Sequence, residues 1–273
     1  MIKTQRIIKY CAIAFAIFLI CNIISAIFYG LVSIGSIFNE NNTNDNEIQT
    51  DNLKELNIKE KIKRIDIDVK DINIIVKENT DFKKETNNKY INTKENNNKL
   101  SITENNLNWF NNNNTTLIIH IPLNYTFEDV SIDNGAGKIE IEMLNSKKLE
   151  LNLGAGQVNI NNLNITNECD IDGGAGEVIV KNSKINNLDL DMGVGKVTLN
   201  TTLIGNNEIN AGVGELNIDL IGSSDEYKIR LNKGIGNAKL NDENMKNDTY
   251  YGNGTNLVDI DGGIGNIEIN YSR

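Results

Sequence analysis

The sequence predicts an all-β protein, a single-chain parallel β-helix-like solenoid with Gly-x-Gly corners, preceded by one N-terminal transmembrane helix. Three observations predict it. Seven Gly-x-Gly phrases start at Gly135, Gly154, Gly174, Gly193, Gly212, Gly234 and Gly263, at intervals of 19, 20, 19, 19, 22 and 29 residues. A near-fixed period of this length marks stacked repeats, in which each unit buries its apolar face against its neighbours. Around every phrase, aliphatic and polar residues alternate with period two, as in Ile132-Asp133 before the first and Lys138-Ile139-Glu140-Ile141 after it. That is the rhythm of a strand with one buried face, and it opposes a helix, as do two glycines per repeat. Upstream, no charged side chain occurs between Tyr10 and Phe38.

The elements follow in order. Residues 1–9 carry Lys3, Arg6 and Lys9 and read as a short cytoplasmic tail. Residues 10–38 are long enough for a bilayer-spanning helix, which needs about 20 apolar residues. Glu40, Asp45 and Glu47 follow, so the positive-inside rule places the tail in the cytoplasm and the rest of the chain outside. The rival reading is a cleaved signal peptide ending near Ile24-Ser25-Ala26. The apolar run is about twice the length of an ordinary signal core, which favours an uncleaved anchor in membrane lipid. Residues 39–60 are polar and aperiodic and read as a stalk, with a helical turn or two around Leu53–Ile58.

Residues 61–273 carry the strands. Ile65, Ile67 and Val69, then Ile72, Ile74 and Val76, alternate with polar residues; Leu100-Ser101-Ile102 and Leu117–Ile121 repeat the signal. About three upstream coils plus seven glycine coils give a prism on the order of 45–50 Å long at ~4.8 Å per coil. The corner glycines (Gly135, Gly137, Gly154, Gly156, Gly174, Gly176, Gly193, Gly195, Gly212, Gly214, Gly234, Gly236, Gly263 and Gly265) are expected to serve the turn itself. A phosphate-cradling loop would need a helix or a Gly-Lys-Ser/Thr ending after it, and strands follow here. The residue between the glycines grows from Ala136, Ala155 and Ala175 through Val194 and Val213 to Ile235 and Ile264; this column is expected to point inward.

Composition narrows the function. The chain has 273 residues and is 39% hydrophobic but 6% aromatic, so its core is aliphatic; its net charge is -10. An acidic surface repels nucleic acid and anionic headgroups, so no nucleic-acid partner is expected. Cys11 and Cys21 lie in the apolar stretch and Cys169 stands alone, expected to face the core as a small hydrophobe. Asp172-Gly-Gly-Ala-Gly and Asp261-Gly-Gly-Ile-Gly are like calcium-binding nonapeptides, but lack the second Asp and have twice the period. The column Asp133, Asn152, Asp172, Asp191, Asn210, Asn232 and Asp261 reads as a solvated ladder, with an edge cation site as the alternative. No metal or cofactor site is assigned.

One family carries this order of features. An apolar segment is followed by an alternating strand pair, a Leu100-x-Ile102 strand, an Ile119-His120-Ile121-Pro122 strand end and repeated Gly-x-Gly-x-Ile-x-Ile coils. Over about residues 60–273 the chain resembles the bacterial putative-adhesin family of β-strand repeats, also called the toastrack. The resemblance implies a right-handed β-helix-like domain at the envelope of low-GC bacteria, often encoded near transcription regulators and membrane proteins linked to envelope stress. It transfers no catalytic residue.

The function expected is that of a membrane-anchored, non-catalytic extracytoplasmic module that docks another envelope protein or self-associates; the alternative is a cell-surface adhesin-like module. A polysaccharide-active β-helix enzyme is the remote alternative, since outward Asp and Glu abound. The single histidine, His120, lies between Ile119 and Ile121 and is expected to face solvent. Exposed aromatics are the candidate contacts: Trp109 and Phe110, with Tyr90, in the upstream loops, and Tyr250 and Tyr251 in the longest interval. Some 22 polar residues of stalk hold the domain near the membrane, which favours the docking reading over adhesion.

Overall fold

Strands dominate because the chain offers β-branched residues at every second position and almost nothing that starts a helix. The computed structural model describes residues 53–58, 61–105 and 115–272, all within one compact unit, Thr50–Arg273. The segment 10–38 lies outside the described residues; among those described, no helix is long and apolar enough to cross a membrane.

Seven short strands come first: β1 (Lys54–Asn57), β2 (Arg64–Asp71), β3 (Asn73–Asn79), β4 (Lys83–Thr86), β5 (Ile91–Asn96), β6 (Lys99–Glu104) and β7 (Thr116–Pro122). Long bent strands follow, each running through a glycine corner: β8 (Thr126–Ile141), β9 (Leu144–Asn161), β10 (Leu163–Asn186), β11 (Leu188–Ile204), β12 (Asn206–Ile221) and β13 (Tyr227–Leu240). The pieces β14 (Glu243–Asn244) and β15 (Thr249–Tyr251) precede the last strand, β16 (Asn256–Ser272).

The parallel register lays like residues over one another. Ile132, Leu151, Ile171, Leu190, Ile209, Ile260 and Leu231 form one such column, and every member is buried. Stacking brings each aliphatic next to two copies of itself, which is how a coil too small for its own core obtains one.

The stacking order departs from the chain order at both ends. Strand β16 sits between β12 and β13, so the seventh glycine phrase is inserted below the sixth. The long interval between them carries the chain out through β14 and β15 and back. At the other end, β2 and β3 pair directly with β8, while β6 and β7 lie beyond them. Two coils therefore precede the glycine coils, not three, and nine coils span about 40 Å at ~4.8 Å each.

Both ends are closed by antiparallel strands of the chain itself. Strands β14 and β15 pair with the outer edge of β13; β4 covers β7, β1 covers β4, and β5 covers β6. An open edge would template pairing with other chains, and these inserts shorten it. Strand β1 corrects the expected helical turn around Leu53–Ile58, and Ile58 packs against the core, so the sheet takes up residues read as stalk.

Asparagine makes several of the other corners. Asn162, Asn182 and Asn187 adopt φ of 56°, 50° and 50°, left-handed values that Asn tolerates better than other side chains. Ser183 Oγ donates to Lys181 O (2.6 Å) and accepts from Leu163 N (3.1 Å). Thr201 and Asn207 likewise satisfy backbone groups inside the corners. Aromatics close the core ends: Phe82, Tyr125 and Phe127 pack in tilted and T-shaped pairs with centroids 4.9–6.3 Å apart, and Tyr227 stacks on Tyr271 at 6.2 Å.

Candidate docking site along the glycine corner

Strict alternation through the corner would turn the residue between the glycines inward, and it does not. The residue before the first glycine is the inward one: Asn134, Leu153 and Met192 are buried, and so are Ile139, Val158 and Val197. Those pairs are five positions apart, an odd number, so the pattern slips by one residue at each corner. Two consecutive positions then face solvent, the first glycine and the residue after it. The expected inward column is therefore an outward ridge.

The glycines allow this corner to stack. A Cβ on Gly135 would lie 2.6 Å from the Lys70 carbonyl oxygen, and one on Gly214 would overlap the Gly195 carbonyl oxygen outright. The second glycine column also has φ of +116° to +151°, which L side chains rarely adopt. Backbone packs on backbone here, and no other residue fits.

One column over, the missing side chains leave a trough. It holds about 790 Å³ and crosses β10, β11, β12, β16 and β13, with Gly174, Gly193, Gly212, Gly263 and Gly234 in its floor. One bank is the outward column Asp172, Asp191, Asn210, Asp261 and Asn232. Beyond the other side of the floor stands the ridge. Its members pair in register, Val194 with Val213, Val213 with Ile264 and Ile264 with Ile235. Val213, Ile264 and Ile235 are 46%, 53% and 72% exposed, whereas Ala136, Ala155 and Ala175 continue the ridge on the other side as half-buried methyls.

The acidic bank is backed by a second outward column, Glu150, Asp170, Asp189 and Glu208. Among the described residues, no lysine or arginine forms an ion pair with Asp170, Asp172, Asp189, Asp191 or Glu208; Lys148 is taken by Glu168 at 2.7 Å and Arg230 by Asp259 at 2.9 Å. Partial burial, then the neighbouring carboxylates, raise the pKa values of Asp170 and Asp189 above the usual range. Among the described residues, no group of His, Cys, Asp or Glu is arranged to hold a metal ion.

Other candidates fall elsewhere. Tyr250 is exposed beside Arg230, with Lys228 Nζ 4.3 Å over its ring. Tyr251 packs against the core and its hydroxyl accepts from Lys246 N at 2.7 Å. Trp109 and Phe110 lie outside the described residues. Cys169 is fully buried, and that burial pushes its thiol pKa up.

His120 is a correction: it is 5% exposed. Its face of β7 is covered, with Ile118 also buried. Nδ1 meets Asn79 Nδ2 at 3.0 Å, and Nε2 lies 3.3 Å from Glu85 Oε1 without a hydrogen bond. Burial lowers its pKa, Glu85 opposes that, and Lys77 and Lys83 add to it.

The Toastrack DUF4097 family model matches residues 62–256. The chain belongs to that family. The toastrack match begins two residues before β2 and ends on the first residue of β16, so it covers most of the stack. No curated protein matches the chain. Solved structures similar to this toastrack chain include a putative cell adhesion protein from Clostridium sporogenes, 16% identical, covering 81% of this chain and 100% of its own, with a TM-score of 0.38. Two others are putative adhesins from Bacteroides fragilis (14% identity, 80% and 96% coverage, TM-score 0.32) and Parabacteroides distasonis (13%, 81% and 96%, TM-score 0.30).

The ridge is what sequence reasoning missed. The size gradient was visible, but its direction depends on a one-residue phase slip. The signal available was the odd spacing between aliphatics on either side of each phrase.

Proposed function

We propose that this toastrack protein is a non-catalytic docking module, held outside the cell membrane by residues 10–38, that binds another envelope protein through the distal half of its glycine corner. One observation carries this reading: Val213, Ile264 and Ile235 stand exposed side by side on neighbouring coils. Apolar side chains gathered in one stripe mark interaction sites, while scattered ones do not. The ridge lies on a stack of hydrogen-bonded parallel coils, so its backbone needs little ordering at binding. The short polar segment after the anchor keeps that surface near the membrane, where envelope partners are within reach.

The test is a photo-crosslinking side chain at position 264 of the full chain in producing cells. A crosslink to a membrane or envelope protein, abolished by Ile235→Asp, supports docking. No crosslink, or one indifferent to Ile235→Asp, defeats it.

A further inference from the structure

We infer that the trough takes a cationic amphipathic helix of a partner protein, laid along the stack axis. Its aliphatic stripe would rest on Val194, Val213, Ile264 and Ile235, and its Lys or Arg residues would lie over Asp172, Asp191 and Asp261. This rests on the docking reading and names the partner's chemistry.

Backbone hydrogen bonding selects a helix. The ridge and trough run across the faces of coils whose N–H and C=O groups already pair sideways with the next coil. An extended segment laid there obtains no ladder, because a ladder forms only along a strand edge and not across the face of the coils; on β13 that edge is paired by β15 at Ile229–Leu231 and by β14 at Lys239–Leu240. A helix satisfies its own backbone and needs only a surface for its side chains.

Spacing agrees. Ridge side chains recur every ~4.8 Å along the stack, and a helix presents one residue per turn at about 5.4 Å. Same-face residues of a strand are about 6.7 Å apart and fall out of step by the second coil. Three helical turns, about 16 Å, match the four coils from Val194 to Ile235.

Charge and area exclude the other occupants. A second copy would bring its own acidic bank against Asp172, Asp191 and Asp261; the lysine that lines the trough, Lys233, donates its Nζ to Gly236 O at 2.7 Å and forms an ion pair with none of the three. An anionic lipid surface is repelled for the same reason. The exposed parts of the ridge offer on the order of 200 Å² of apolar surface. A stable globular interface needs about 800 Å² per partner. A slender helix fits a narrow stripe.

The experiment uses the full chain in zwitterionic nanodiscs and a labelled synthetic helix with leucines at i, i+4, i+7 and i+11 and lysines along one flank, followed by fluorescence anisotropy. Comparison between wild type and variants in identical discs cancels binding to lipid. V213S/I264S/I235S is expected to weaken binding at least about tenfold. D172N/D191N/D261N is expected to weaken it about fivefold at low salt and less than about twofold at ~0.5 M salt. A136S/A155S leaves it unchanged, and circular dichroism confirms the fold of each variant. Equal binding by the ridge variant, or by a peptide with glutamates for its lysines, overturns the proposal. In the cell, the segment crosslinked to position 264 should show aliphatics at helical spacing with Lys or Arg beside them. An acidic or strand-patterned segment there leaves docking standing and refutes the cationic helix; no crosslink at all refutes both.

Discussion

The two halves of the glycine corner share one backbone and differ in one side chain. From β8 to β10 the ridge residue is alanine; from β11 to β13 it is valine or isoleucine, stacked on neighbouring coils. The glycines on either side are the same in both halves, because a Cβ at either would collide with the next coil's carbonyl. Packing therefore dictates the glycines and leaves the residue between them to whatever lies outside.

The largest expected effect concerns the glycines. Gly214→Ala forces a Cβ onto the Gly195 carbonyl at a left-handed φ, and should cost about 3 kcal/mol or more, lowering Tm by about 10 °C. Gly173→Ala meets only the flexible Met192 Sδ at 2.5 Å and should cost less than about 1.5 kcal/mol. Equal costs would mean that the corner is not built on backbone contact.

Next is acid. His120 lies at the first end of the stack, and burial lowers its folded pKa. The unfolded chain then binds the proton more readily, so stability present at neutral pH falls as pH drops below about 6.5. Tm should fall by a few degrees between pH 7 and pH 5, and His120→Gln should flatten that slope. An unchanged slope in the variant would place the pH response elsewhere.

The acidic ladder has the opposite sign. Asp170 and Asp189 have raised folded pKa values, so their contribution is favourable only at acid pH and is lost as pH rises through those values. Asp170→Asn and Asp189→Asn should each stabilise at pH 7 by about 0.2–1 kcal/mol. The gain should shrink at ~0.5 M salt and vanish near pH 3. A loss of stability at pH 7 would reveal a partner for these groups.

The smallest effect separates the two ridge orientations. Ala155→Ile on an outward ridge should change stability by less than about 0.5 kcal/mol; an inward residue would cost about 1–3 kcal/mol by overpacking.

The fold was legible where repetition speaks. The glycine phrases announced stacked coils, and Ile65, Ile67 and Val69 announced a strand before them. Three things were not. The insertion of β16 below β13 depends on long-range pairing that leaves only a longer interval in the sequence. The burial of His120 depends on Asn79 and Glu85, brought beside it by β3 and β4. The asparagine corners were hidden by a composition in which Asn is common, though Asn161-Asn162-Leu163 and Asn186-Asn187-Leu188 interrupt the alternation where the chain turns. The outward ridge shows in the sequence as a size gradient, and its direction depends on one residue of phase.

The most direct measurement compares crosslinking yield from two ridge positions, 264 and 155, in the full chain under identical illumination. Docking through the distal half predicts a specific adduct with an envelope protein from position 264 and none from 155. Equal yields from both, or adducts from 155 alone, would contradict it.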